Sequence, residues 1–425
     1  MLQATSALGL LGMVVLAWLL SANRRRFNFR VVIGGILLQF LFAYIVLRTG
    51  PGRAVFEVIR DLFLALVACA SAGTQFVFGQ PLMSQDFMLA SFAFNALPTI
   101  IFFSALMSVL YYFGVMQAVI RAMAVVMQKT LRTSGAETLS TAANIFVGQT
   151  EAPLVIRPYL PTMTNSELMA VMVGGFATVA GGVLAAYVGM GVDPVHLLTA
   201  SVISAPAALA IAKVMQPEVD QPLTLGHVRM EAKSEAVNVI HAAALGATDG
   251  LKLALNVAAM IIAFLGLLYM IDQGLGWLGS FFGQKWSLQA VMGYGFAPIA
   301  WLMGVEPGDR LEVGQLLGIK MVANEFLAYD QLVRLRMQEL PGIGALTSVP
   351  PELLPKVSAI SPRSDIIATY ALCGFANFGS IGIQLGGIGP LAPERRGDLA
   401  RLSFRAMLGG TLAACMTACV AGVML

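Results

Sequence analysis

The sequence predicts an all-α integral membrane protein: eight transmembrane helices plus two re-entrant hairpins in an inverted repeat, with surface helices. Three observations predict it. Apolar residues make up 58% of the 425-residue chain and charged residues 12%, about half the usual share of a soluble domain. The charges gather in short clusters between apolar runs of about 20 residues, the length that crosses a bilayer. Two segments depart from that pattern in the same way, each with a glutamate in a polar centre.

In chain order, spans are expected near residues 5–23, 31–48, 88–112, 168–191, 195–215, 251–271, 364–386 and 403–425. Short connections leave no room for a large soluble domain. The organisation reads as 1–52, two N-terminal spans; 53–87, an interfacial helix and connection; 88–215, a first repeat; 216–250, a cytoplasmic connection; and 251–425, a second repeat. Arg24, Arg25, Arg26 and Arg30 follow the first span and no Lys or Arg precedes it. Short basic loops stay in the cytoplasm, so both termini are expected outside. The same order argues for a retained span rather than a cleaved leader. Residues 53–79 carry Arg53, Glu57, Arg60 and Asp61 among apolar residues at helical spacing, which reads as a helix on the membrane surface. Lys213 and Lys252 fall near span ends, where long side chains snorkel, and Lys252 is placed to pair with Asp249.

Residues 135–163 and 308–338 each flank a polar centre with two apolar arms. An arm reaches the midplane at 1.5 Å per residue but does not cross. The expected shape is a hairpin that enters and leaves on one side, with irregular backbone sheltered in protein or lining a cavity. Thr150 is expected to cap a new helix, with Glu151 in its first turn and Pro153 behind. Asn324 is expected to cap a second, followed by Glu325. The positive end of each helix offsets part of the cost of burying a carboxylate, at least about 2.5 kcal/mol at a bilayer centre.

After each hairpin comes an apolar run interrupted by glycines, GGFATVAGG at 174–182 and CGFANFGSIG at 373–382, then a plain span. Each unit contains three crossings, so the second starts on the opposite face and the halves are inverted. Inverted repeats, broken helices and a midplane site form the pattern of secondary transporters. The candidate lining groups are Asn144, Gln149, Thr150, Glu151, Thr178, Glu325, Asn377 and Ser380. They are neutral hydrogen-bonding groups plus two acids, without an arginine, which disfavours a phosphorylated or carboxylate solute and suits hydroxyls and amides. Carbonyls at half-helix ends suit a small hard cation.

Other chemistry finds little support. The three histidines and four cysteines show no metal spacing. GLGWLG at 274–279 fits G-x-G-x-x-G but follows no strand. A solute channel needs a continuous pore. A membrane enzyme using Glu151 and Glu325 as an acid–base pair lacks a nucleophile or metal set beside them.

AANIFVGQTEAPLVIRPYL at 142–160, NEFLAY at 324–329 and TYALCGFANFGSIGI at 369–383 resemble the concentrative nucleoside transporter family. The resemblance covers about residues 88–425, and the first two spans fit its bacterial members. It implies cation-coupled symport of nucleosides such as uridine into the cell across the inner membrane, with Na+ as the co-transported ion and no other cofactor. Elevator-type alternating access in a homotrimer is implied too, with no enzymatic activity and no nucleic-acid partner. The family also has proton-coupled members, which leaves H+ as the alternative. By the same resemblance, Gln149, Thr150 and Glu151 contact the base, with Val183 nearby. Glu325, Asn377 and Ser380 hold the ribose, with Phe375 beside them. The sodium site uses the Asn144 side chain, the carbonyls of Val147, Thr178 and Val179, and the Thr178 hydroxyl. Many relatives have Ser at the position of Thr178.

Overall fold

The computed structural model describes residues 1–78, 97–224, 236–283, 286–337 and 360–425. Expectations that fall on 79–96, 225–235 or 338–359 lie outside the described residues. Every regular element among the described residues is a helix. The N-terminal spans are α1 (Leu2–Leu19) and α2 (Phe29–Arg48). Asn28 starts α2 by accepting the Val31 N–H, one of the donors a helix start leaves open. Next, α3 (Gly50–Phe78) is one helix of 29 residues, and its stretch 60–77 is long and apolar enough to cross a bilayer. The charges that suggested a surface helix sit only on its first part, where Arg60 and Asp61 pair with each other at 2.9 Å.

At Gly114, with φ +78°, α4 (Leu97–Tyr112) turns by 79° into α5 (Val115–Leu131). The second helix is amphipathic. It buries Met116, Ile120, Ala124, Met127 and Leu131 on one face and carries Arg121 and Lys129 elsewhere.

The segment 135–163 forms α6 (Gly135–Ala143) and a 3-10 helix (Ala152–Thr162). Pro153, Pro158 and Pro161 lack backbone donors, so the second arm cannot complete an α-helical ladder. Glu151, rather than Thr150, is its N-cap and makes no side-chain capping bond. Capping boxes bracket the hairpin: Ser134 with Glu137, and Thr164 with Glu167. Its two ends meet at Thr224. The Gly135 N–H donates to the Thr224 carbonyl, and the Thr224 hydroxyl donates to Glu167. The two ends of this segment therefore lie side by side.

The expected span 168–191 is two helices, α7 (Asn165–Ala177) and α8 (Gly181–Gly189), broken at Thr178–Ala180. Then come α9 (Pro194–Met215) and α10 (Val239–Ser280). The 42-residue α10 begins twelve residues before the expected 251–271, inside the stretch read as a connection. A shorter apolar helix, α11 (Leu288–Leu302), precedes the second hairpin. That hairpin is α12 (Arg310–Val322) and α13 (Glu325–Met337). Asn324 accepts the Leu327 N–H at 3.0 Å and so caps α13. The ends again meet: Asp309 accepts the Ser361 N–H, and Arg336 bonds Asp365 at 2.6 Å. The last unit is α14 (Pro362–Leu372), α15 (Phe378–Ile388) and α16 (Arg396–Met424).

The broken helix α7–α8, with α9 and α16, forms the centre; 89%, 78% and 83% of these stretches are buried, against 33% of α1 and 44% of α2. In that centre Lys213 does not snorkel. It is 5% exposed and pairs with Glu137 at 2.7 Å and Glu218 at 3.2 Å. Lys252 is exposed and pairs with Asp249 at 3.4 Å.

Candidate functional site

Both hairpin tips and both helix breaks converge on one cavity of about 120 Å³, room for several waters rather than one. Hairpin 1 contributes Gln149, Thr150 and Glu151, and α8 contributes Val183. Hairpin 2 contributes Glu325. The second break contributes Phe375 and Asn377, and α15 contributes Ser380. All eight residues expected to touch a solute therefore face the same space.

The tips reach across to the opposite unit. Glu325 is 3% exposed. Its Oε1 accepts the Tyr187 hydroxyl of α8 at 2.9 Å, and its Oε2 accepts Asn377 Nδ2 at 3.0 Å. Asn377 is itself held as the N-cap of α15, its Oδ1 accepting the Ser380 N–H at 2.8 Å. On the other side Gln384 of α15 donates to Gln149 at 3.4 Å and to the Met172 carbonyl at 3.0 Å. Glu325 thus starts a helix and holds two hydrogen bonds to neutral donors, which keeps a buried carboxylate in place without neutralising it.

Glu151 is the more accessible of the two carboxylates. It is exposed towards the cavity, folded over Gly148, where a Cβ would collide with its Oε2.

The four residues expected at a cation site lie where α6 and α7 both end. Asn144 is the C-cap of α6 and Thr178 the C-cap of α7. Both are buried, as are Val147 and Val179. The Thr178 hydroxyl donates to the Gly174 carbonyl at 2.8 Å, and a Cβ on Gly174 would touch Asn144 Nδ2 at 3.4 Å. Asn144 Nδ2 bonds the Ser140 carbonyl while its buried Oδ1 has no partner among the described residues. A buried acceptor without a donor is costly, and one neutral oxygen beside a hydroxyl and free helix-end carbonyls is a donor set that fits a small hard cation.

Sequence reasoning missed the wall opposite the hairpins. Leu253, Asn256 and Val257 of α10 line the cavity, as do Phe326 and Ile383. Asn256 is a lone amide in an apolar run, which was the one available signal. Tyr187 was missed as well; its partner lies 138 positions away.

Three family models match: Na+ dependent nucleoside transporter N-terminus over residues 8–81, Nucleoside recognition over 93–193, and Na+ dependent nucleoside transporter C-terminus over 196–422. Solute carrier family 28 member 3 of Rattus norvegicus is 43% identical over 99% of this chain and 59% of its own length. Sodium/nucleoside cotransporter 1 of Mus musculus is 43% identical over 99% of this chain and 64% of its own. The chain thus spans about three fifths of the length of these animal relatives. An uncharacterized transporter of Haemophilus influenzae is 42% identical over 99% of this chain and 97% of its own. Among solved structures, CNTnw in an inward-facing substrate-bound state superposes with a TM-score of 0.88 at 40% identity, covering 100% of this chain and 98% of that one.

Proposed function

Because the chain belongs to the Na+-dependent nucleoside transporter family, we propose that it is a Na+-coupled symporter that concentrates nucleosides in the cell. The family is one of transporters, which sets the membrane-enzyme reading aside. The observation that carries the proposal is the single cavity in which Gln149, Thr150, Glu151 and Val183 face Glu325, Phe375, Asn377 and Ser380. The first group serves the base and the second the ribose. The paired acceptors of Glu325 suit adjacent hydroxyls, and Phe375 gives the sugar or ring an apolar face. Asn144, Val147, Thr178 and Val179 hold the Na+, close to the Gln149 side of the cavity.

The hairpins are re-entrant, from opposite faces of the inner membrane, with both termini outside. Each hairpin is tied at its ends to the segments that follow, through Lys213 and Thr224 or Asp365 and Ser361. These ties make the hairpins and the central helices one body. That body slides past α4 and α10 in an elevator-type cycle within a homotrimer.

Radiolabelled uridine uptake into proteoliposomes tests this. Accumulation above equilibrium driven by an inward Na+ gradient is expected. Accumulation driven by a proton gradient without Na+ establishes the proton-coupled alternative, and simple equilibration establishes a channel.

A further inference from the structure

We propose that Lys320 is a built-in cation: in the second unit its ammonium fills the place that a free cation takes in the first. The inference rests on the cavity being a transport site.

A helix C-terminus carries about half a negative charge on its open carbonyls. Two such ends meet here. At the break after α14, Gly374 has φ +120°, and a Cβ there would lie 2.7 to 2.9 Å from the carbonyl groups of Phe176 and Ala177 at the end of α7. The negative ends of α7 and α14 therefore abut in the buried centre, where their fields are weakly screened.

The two units answer this in parallel ways. In each, the first arm of the hairpin sends a side chain to the break of the next helix. Hairpin 1 sends Asn144, a neutral amide with an unpartnered Oδ1, to the end of α7. Hairpin 2 sends Lys320, 1% exposed, to the end of α14. Its Nζ donates to the Ala371 carbonyl at 2.9 Å and to the Cys373 carbonyl at 3.4 Å. Among the described residues no Lys or Arg donates to a carbonyl between Gly174 and Val179. One break has its positive charge on a tether, and the other must take it from solution. Lys320 is a positioning residue: it fixes the irregular segment from Cys373 to Asn377, and Asn377 in turn holds Glu325.

The test is uridine binding to the purified full chain at constant ionic strength, with choline replacing Na+. Lys320→Ala should lower affinity about tenfold, the order of a lost charged hydrogen bond. Methylammonium should restore most of it and methanol should not. Its Na+ titration should steepen from a Hill coefficient of about one towards two, and Lys320→Arg should stay near wild type. Unchanged affinity in Lys320→Ala, or a loss relieved by neither cation, overturns the proposal. If Lys320→Ala does not purify folded, the melting temperature of Lys320→Met decides. A larger rise with Na+ than wild type supports the built-in cation, and an equal rise overturns it. A wild type indifferent to Na+ would refute the sodium reading of the first unit, while the methylammonium result would still report on the second.

Discussion

Glu325 is held by two neutral donors before any solute arrives, Tyr187 at 2.9 Å and Asn377 at 3.0 Å. Its remaining lone pairs are the ones left for the proposed ribose contact. Glu325→Gln keeps the shape and removes the charge, and one amide nitrogen then faces a donor. A charged hydrogen bond contributes about 1.5–3 kcal/mol, so uridine uptake should fall roughly ten- to a hundred-fold; near-normal uptake by folded protein would remove Glu325 from the ribose site. Tyr187→Phe deletes one neighbour of that carboxylate. It should weaken apparent affinity several-fold, about 1 kcal/mol, with a smaller effect on maximal rate, measured from uptake against uridine concentration. Asn144→Ala removes the unpartnered oxygen at the end of α6. The Na+ concentration for half-maximal uptake should rise, and an unchanged activation curve would contradict the cation assignment.

At the scale of elements, the hairpins depend on their closed ends. Lys213 and Glu137 form a buried pair at 2.7 Å. Removing one partner of such a pair strands a charge and costs about 3–5 kcal/mol, whereas replacing both with apolar residues is often near neutral. Lys213→Met should therefore lower the melting temperature clearly, and Lys213→Met with Glu137→Leu should recover much of the loss. Equal losses in single and double variants would mean the pair does not hold the hairpin. The same pair shows where sequence reading stops. The glycine runs at 174–182 and 373–382 marked the broken helices correctly, because a helix break is written in neighbouring residues. Asn324 as a cap was legible for the same reason. Lys213 was misplaced because a position near a span end says how deep a side chain lies, not which helix stands beside it. Asn256, which lines the cavity, and Tyr187, which bonds Glu325 behind it, were missed on the same ground, since each sits inside an unremarkable apolar run.

For the whole molecule, the cavity has two kinds of wall. One is built from the hairpins and broken helices, the other from Leu253, Asn256 and Val257 of α10. If the first wall carries the solute past the second, joining them stops transport. With Cys69, the exposed cysteine among the described residues, replaced by Ser, a cleavable bis-maleimide between Val183→Cys and Asn256→Cys should abolish uptake. Undiminished uptake by fully linked protein would exclude relative sliding. The crossing of the two broken helices has a consequence in the language of inheritance. Gly374 sits with φ +120° against two carbonyl groups, with no space for a Cβ. Every single-base change in a glycine codon that still encodes an amino acid, unless silent, encodes one with a Cβ. No partial allele is then reachable at this position in one step. In a population selected for resistance to toxic nucleoside analogues, codon 374 should yield only complete loss, whichever of its first two bases is struck.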